Sequence, residues 1–312
     1  MTTHEFFQQF PDEASCILHF KELRESNGLC CRKCQSKRLS WISTRNYWQC
    51  MDCKASTTLR SGTIMMHSKL NFLTWYTCTY HMLSTKKAVS ATDMQRRLGL
   101  KRYEPVWVMM HKIRAAMGHH VGFITLNNVV EVDDAFLGAV KKDPDPDADM
   151  FNRGRGSKKK VPVLLAIESV ERIKPKKRKD LTENTRAGLL RIEYLFDQKG
   201  ETMTSKIARW LHPDSRIKSD AYPGYSKFKD VVKQHDARVT PAKEAHKFLP
   251  WVHTAISNLR KNLDGIYHHV SDTHMQQYLD EYCFKFNHRF NLHSSFNQLF
   301  KTSSSYCLHR NG

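Results

Sequence analysis

The chain has 312 residues and a mass of 36.5 kDa, with 50 Lys+Arg against 31 Asp+Glu, a formal charge of +19 and a pI near 9.6. That length exceeds the usual single domain and predicts two or three units, one of them with a substantial core. The charge excess points to a polyanionic partner, nucleic acid before a membrane surface. No apolar run approaches the roughly 20 residues of a spanning helix, and the start, MTTHEFFQQFPDE, lacks a charged-then-apolar leader pattern. A cytosolic protein with no membrane partner is therefore expected.

Residues 5 to 28 carry Phe6, Phe7 and Phe10, then Ile17, Leu18, Phe20 and Leu23 after Pro11, which predicts a short helical lead-in ending at Gly28. Two Cys-x-x-Cys pairs follow, Cys31 with Cys34 and Cys50 with Cys53. Tetrahedral zinc takes four thiolates, and two tight turns joined by a short hairpin supply them at this spacing. With every position filled, such an ion is structural, because no place is left for water. Cys30, next to Cys31, is a competing ligand with a less usual spacer. The other cysteines, Cys16, Cys78, Cys283 and Cys307, read as buried or incidental thiols in a reducing compartment.

From Leu70 to about Met117 the pattern is helical. Within it, VSATDMQRRLGLKRYEPVWVMMHKIRAAM reads as a helix capped by Ser90 or Thr92, a turn at Gly99, and a second helix opening near Glu104 and Pro105. This helix-turn-helix-like segment offers Arg96, Arg97, Lys101 and Arg102, with Lys112 and Arg114, as DNA phosphate contacts.

From Val129 the period changes. VVEVDDAFLG, VPVLLAIESV and RIEYLF are β-branched runs, followed by helix-like MTSKIARWL, then RIKSD, a short helix and ARVTP, which together predict a mixed α/β sheet. The connections are basic. Lys158, Lys159 and Lys160, at the end of the first, are candidates for tracking a DNA backbone.

Two-metal phosphoryl transfer needs hard oxygen ligands around a pair of divalent ions about 3.5–4 Å apart. Asp133 in EVDDAFLG and Asp220 in SDAYPGY fit as the central pair, because each follows a strand-like run. Pro250 and Gly265 frame a helix from about Pro250 to Leu263. On it, His253 and Arg260 lie within about 20° of one face and about 10 Å apart, so that one can reach a metal and the other a phosphate. Asn258 falls about 140° round the helix from His253, which favours His253 as the third ligand.

Taken together, these motifs resemble the zinc-ribbon transposases of bacterial insertion sequences, the fifteen-ninety-five (ISXO-two-like) family. The resemblance runs from FFQQFPDEASC to YLDEYCFKFNHRFN and rests on CRKC, CMDC, SGTIM, VEVDDAFLG, GRGSKKKVPVLLAIE, SDAYPGY and GIYHHVS. It implies an α+β multidomain chain with a lead-in and zinc ribbon (1–68), a helix-turn-helix-like DNA-binding domain (69–120), an RNase H-like DDE catalytic domain (126–290) and a C-terminal tail (291–312). Residue by residue it carries the catalytic positions onto Asp133, Asp220 and Arg260, with Asp134 where the family often has Glu. His253 stands where many relatives have Glu and some Asn. Imidazole suits Mg²⁺ less well than carboxylate does, so the site tolerates His, prefers Mn²⁺ or is impaired.

The activity implied is transposition. The protein would bind terminal inverted repeats, nick DNA with the help of two Mg²⁺ or Mn²⁺ ions, and join the freed 3′-hydroxyl to target DNA as a homo-oligomer associated with the nucleoid. The alternative is a catalytically impaired, transposase-derived DNA-binding regulator. Nothing in the chain calls for an RNA-directed nuclease.

Overall fold

The computed structural model describes residues 1–138, 160–173, 184–241, 244–267 and 270–305. The chain divides into two compact units, Met1–His120 with His288–Gly312, and Val121–Asn287. The fold class is the multidomain α+β expected from the sequence.

In the first unit the lead-in is two helices, α1 (Thr3–Gln9) and α2 (Glu13–Ser26). Pro11 separates them, and Asp12 caps the second by accepting the Ser15 N–H at 2.8 Å. Next comes a three-stranded antiparallel ribbon of β1 (Leu39–Ile42), β2 (Tyr47–Cys50) and β3 (Ser56–Thr58). The ribbon is pinned to α2. The Trp48 indole donates to Glu25 at 2.9 Å, and the buried Arg24 guanidinium donates to the carbonyls of Leu59 and Ser61 at 2.8 and 2.7 Å.

Three helices follow, α3 (Phe72–Ser84), α4 (Ala91–Leu98) and α5 (Tyr103–Gly122). The start of α3 is held by a carboxylate from another helix: Glu13 accepts the N–H groups of Phe72 and Leu73 at 2.8 and 2.7 Å. Ser90 is the cap of α4, and Gly99 closes it at φ +64°, the left-handed conformation that ends helices and favours glycine.

The segment expected as a C-terminal tail is largely a helix, the last in the chain, α10 (Leu292–Ser305). Phe296, Leu299 and Phe300 are spaced to form one apolar face and are buried. They join an aromatic core with Phe6, Phe10 and Tyr76, in which the rings of Tyr76 and Phe300 lie 4.0 Å apart. Ribbon, helix-turn-helix-like segment and last helix therefore belong to one unit.

The second unit is built on a mixed sheet of five strands in the order β6-β5-β4-β7-β8. These are β4 (Val129–Gly138), β5 (Lys160–Glu171), β6 (Thr185–Tyr194), β7 (Arg216–Asp220) and β8 (Gln234–Arg238). β4, β5 and β6 are antiparallel neighbours, while β7 runs parallel to β4 and β8 parallel to β7. The last strand lies earlier than the ARVTP run suggested. Val239 falls beyond it and is 89% exposed, because an edge strand needs no apolar alternation of its own.

Helix α6 (Gly200–Trp210) and the 3-10 turn Pro223–Asp230 pack on one face of the sheet. There Val130 and Val132 meet Ile207, Trp210, Tyr225 and Phe228. A short helix α7 (Ala245–Phe248) leads into α8 (Pro250–Ile266), which lies against β4 and β5, and α9 (Asp272–Asn287) lies against β6. α8 continues through Gly265, past the end expected from the sequence.

The free edge of β6 is covered by side-chain amides of α9. Gln276 accepts the Tyr194 N–H, and Asn287 both accepts from and donates to the Leu190 backbone, at 2.8 to 2.9 Å. An unpaired strand edge invites pairing with other chains, and these amides occupy part of it.

Candidate functional site

Two side-chain groups stand out, one in each unit. In the ribbon, the sulfurs of Cys31, Cys34, Cys50 and Cys53 lie within 4.8 Å of one another, with Cys31–Cys53 and Cys34–Cys50 at 3.5 Å. A tetrahedron with Zn–S bonds of about 2.3 Å has sulfurs about 3.8 Å apart, so the set fits a structural zinc ion. Cys30 is outside it and its thiol faces Gln35 at 3.2 Å.

Both knuckles are made the same way. The residue after each pair, Gln35 and Lys54, is left-handed at φ +59° and +58°, and its N–H returns to the carbonyl of Cys31 or Cys50. N–H groups of Cys53 and Asp52 bring the Cys50 thiol down to about 6. The Ser36 N–H favours the Cys34 thiolate, but the neighbouring sulfurs of Cys53, Cys50 and Cys31 push it up to about 12. Crowded sulfurs resist a second negative charge, and a dication removes that resistance.

The second group is assembled across the sheet. Parallel pairing of β4 with β7 runs from Val129↔Arg216 to Val132↔Ser219. Asp133 and Asp220 are the residues that follow this last pair on their strands. α8 supplies the third member, as the His253 Nδ1 lies 3.5 Å from a carboxylate oxygen of Asp133.

The Nε2 of His253 is buried and has no hydrogen-bond partner among the described residues. Burial lowers the pKa of this imidazole, with Asp220 opposing the shift, so the neutral, ligand-competent form is favoured. Unlike the cysteines, these ligand atoms are not gathered to a common ion-binding spacing: among the described residues the four cysteines alone form a group of three or more side chains close enough to share one. Two carboxylates repel each other, so a looser arrangement is what electrostatics dictates for this set.

Further along the same crease, Arg260 and Lys160 line a cleft of about 590 Å³ together with Phe136, Leu137 and Asp264. Arg260 is exposed and reaches the Phe136 carbonyl at 3.4 Å. The spacing of His253 and Arg260 on one helix thus matches that of Asp133 and Phe136 on the strand beneath.

In the first unit Arg96, Arg97, Lys101 and Arg102 are all exposed around the α4–α5 turn. Two other cations read as phosphate contacts are not surface groups. Arg114 is 1% exposed, and Lys112 donates to the Met66 carbonyl at 2.7 Å, because α5 is buried on most of its circumference. Lys158 and Lys159 lie outside the described residues.

Of two further acids on β4, Asp134 was named only through the family resemblance and Glu131 escaped the sequence reading. Asp134, next to Asp133, points to the opposite face of β4, where its carboxylate accepts the Tyr225 hydroxyl at 2.6 Å and the Gln198 amide at 3.3 Å. Glu131 lies on the α8 face and accepts the N–H groups of Trp251 and Val252 at 2.7 and 2.9 Å. Burial pushes Glu131 up to about 7, against the pull of those N–H groups and of Lys218. A signal for Glu131 was present: Pro250 marks a helix start, and first-turn N–H groups need an acceptor.

Four clustered cysteines in one unit and a mixed five-stranded sheet in the other fit a zinc-ribbon protein of the DDE transposase class, and the comparisons with known families agree. Residues 11–56 match the family described as the transposase zinc-ribbon domain, and residues 125–287, just over half of the chain, match the ISXO2-like transposase domain. The chain belongs to the ISXO2-like transposase family. No curated protein matches it. Among the described residues, no helix is long and apolar enough to cross a membrane.

Proposed function

We propose that the protein is an active transposase that binds the ends of its element, cuts DNA in a metal-dependent step and joins the freed 3′-hydroxyl to target DNA. The observation that carries this reading is the His253 imidazole of α8 lying 3.5 Å from the Asp133 carboxylate of β4, with Asp220 following the last paired residue of the neighbouring parallel strand β7. When bound, a pair of Mg²⁺ or Mn²⁺ ions supplies charge stabilisation at the attacking and leaving oxygens.

Asp133 and Asp220 hold the ions, and His253 completes the set through a ring nitrogen. Nitrogen is a better ligand for Mn²⁺ than for Mg²⁺, so Mn²⁺ is the favoured ion of this chain. Arg260 and Lys160 grip a phosphate of the strand being cut. The exposed Arg96, Arg97, Lys101 and Arg102, the ribbon, and Lys158 and Lys159 of the basic connection hold DNA through its backbone. This affinity falls steeply with salt. Two element ends are processed together, so the working form is a homo-oligomer assembled on DNA, within the cell and at the nucleoid.

The His253 imidazole, in place of the carboxylate many relatives carry, also favours a second reading, a DNA-binding regulator that no longer cuts. A nicking assay on element-end DNA separates them. Wild-type protein cutting in Mn²⁺, with loss of cutting but retained DNA binding in Asp133→Ala and Asp220→Ala, supports the enzyme. Binding without cutting in either metal supports the regulator.

A further inference from the structure

Glu131 stands two residues before Asp133 on β4, so both side chains face α8. Glu131 is 1% exposed, and a single oxygen, Oε2, accepts both the Trp251 and the Val252 N–H. These are first-turn donors of α8. Pro250 has no N–H, and Leu249, at the cap, provides no side-chain acceptor. A helix start leaves such donors without intrahelical partners. Here the acceptor comes from the strand that also carries the site. His253 is the residue immediately after Val252.

Two other carboxylates each take a pair of backbone N–H groups, Glu13 at the start of α3 and Glu168 between Asn127 and Leu189. Neither pair adjoins a side chain of the candidate site. The Glu131 clasp therefore couples the height and rotation of α8 to the place where His253 meets Asp133. The coupling is steep, since one residue of slippage turns a helix by about 100° and would carry the imidazole off this face.

Resting on the reading of Asp133, Asp220 and His253 as an ion-binding set, we propose that Glu131 is a positioning residue, whose clasp on the first turn of α8 holds the His253 imidazole against Asp133. The contact is an acceptor role more than a charge role, because one oxygen receives both donors and a glutamine carbonyl can do the same. Lys218, opposite Glu131 in the strand register and 9% exposed, supplies the counter-charge.

The test uses the full chain with its ribbon zinc-loaded. Mn²⁺ affinity is measured by electron paramagnetic resonance titration, and the His253 ring is followed by NMR of ¹⁵N-histidine-labelled protein, for the wild type, Glu131→Met, Glu131→Gln, Glu131→Asp and His253→Ala. Losing a side chain that orients a metal ligand weakens metal binding by about 10–100-fold. Glu131→Met should fall in that range, with a shifted His253 resonance, while Glu131→Gln stays within about threefold of wild type.

Glu131→Asp keeps the charge but shortens the reach, and should bind Mn²⁺ more weakly than Glu131→Gln. That order stands even if Glu131→Met does not fold. The reverse order, or a folded Glu131→Met with wild-type Mn²⁺ affinity and an unmoved His253 resonance, overturns the positioning role. Wild type and His253→Ala binding Mn²⁺ equally would overturn both this proposal and the reading of the site beneath it.

Discussion

The four cysteines and the Asp133–Asp220–His253 group are both candidate ligand sets, but the first draws its side chains from two knuckles of one small ribbon, whereas the second takes them from two strands and a helix that only the folded unit brings together. Soft ligands at the cysteines close to tetrahedral spacing, whereas the carboxylates and imidazole stay looser. The ribbon's knuckle geometry is local, fixed by left-handed Gln35 and Lys54. The other site depends on strand register, on the Glu131 clasp and on the length of α8. A closed, local set suits a structural ion, and an open, assembled set suits chemistry on a substrate.

The sharpest way to break this contrast is to remove ligands from each side. Asp133→Ala or Asp220→Ala should lower nicking of element-end DNA by about a thousandfold or more while leaving binding and the melting curve near wild type. Cys50→Ser, or stripping zinc with a chelator, should do the opposite. Structural zinc supplies about 10 kcal/mol or more of apparent binding energy to small zinc domains, so the ribbon should unfold and end-DNA binding should collapse, read by circular dichroism and gel shift. Mn²⁺ binding in the second unit should survive. Loss of that binding on removing zinc would mean the two sets are not independent.

A smaller effect probes the dependence on assembly. A Cβ on Gly224 would sit 2.5 Å from the Tyr222 ring and 2.7 Å from the Met203 methyl. Gly224→Ala should therefore cost about 1–3 kcal/mol in denaturant unfolding. It should also reduce nicking, because the Tyr222 N–H is bonded to Asp220 at 3.2 Å. DNA binding by the ribbon should not change.

The smallest concerns Asp280 of α9, a half-buried acid that belongs to neither set. Burial holds Asp280 protonated up to about 7, against 3.8 in the unfolded chain. Protons are then bound more tightly by the folded state, so stability is fullest below the unfolded value and declines as pH rises toward the folded one. Asp280→Asn, which can still accept the Gln276 amide, should flatten that decline and be the more stable protein at neutral pH, as thermal melts across the range will report.

The same local-versus-assembled distinction explains what could be read in the sequence. The zinc set was legible because its ligands are close in the chain and their type and spacing carry the chemistry. Asp220 does end its strand, as its place after a β-branched run suggested, but Asp133 lies inside β4, which runs on to Gly138; the helical period placed His253 and Arg260 on one face. The Glu131 clasp was not read, because a glutamate on a strand looks the same whether it faces solvent or the first turn of a helix far along the chain. Arg114 and Lys112 were misread because charge alone does not reveal the buried side of α5. In α10, Phe296, Leu299 and Phe300 carry helical spacing, but the surrounding serines disguise it, so the segment passed for a tail.

The central claim is that Asp133, Asp220 and His253 share divalent ions, and the most direct measurement is anomalous diffraction at the manganese edge from crystals of the zinc-loaded full chain with element-end DNA and Mn²⁺. The account predicts manganese peaks between the two aspartates, one of them bonded to a ring nitrogen of His253, beside a DNA phosphate. Manganese bound elsewhere, with the three side chains free of it at saturating concentration, would contradict the account.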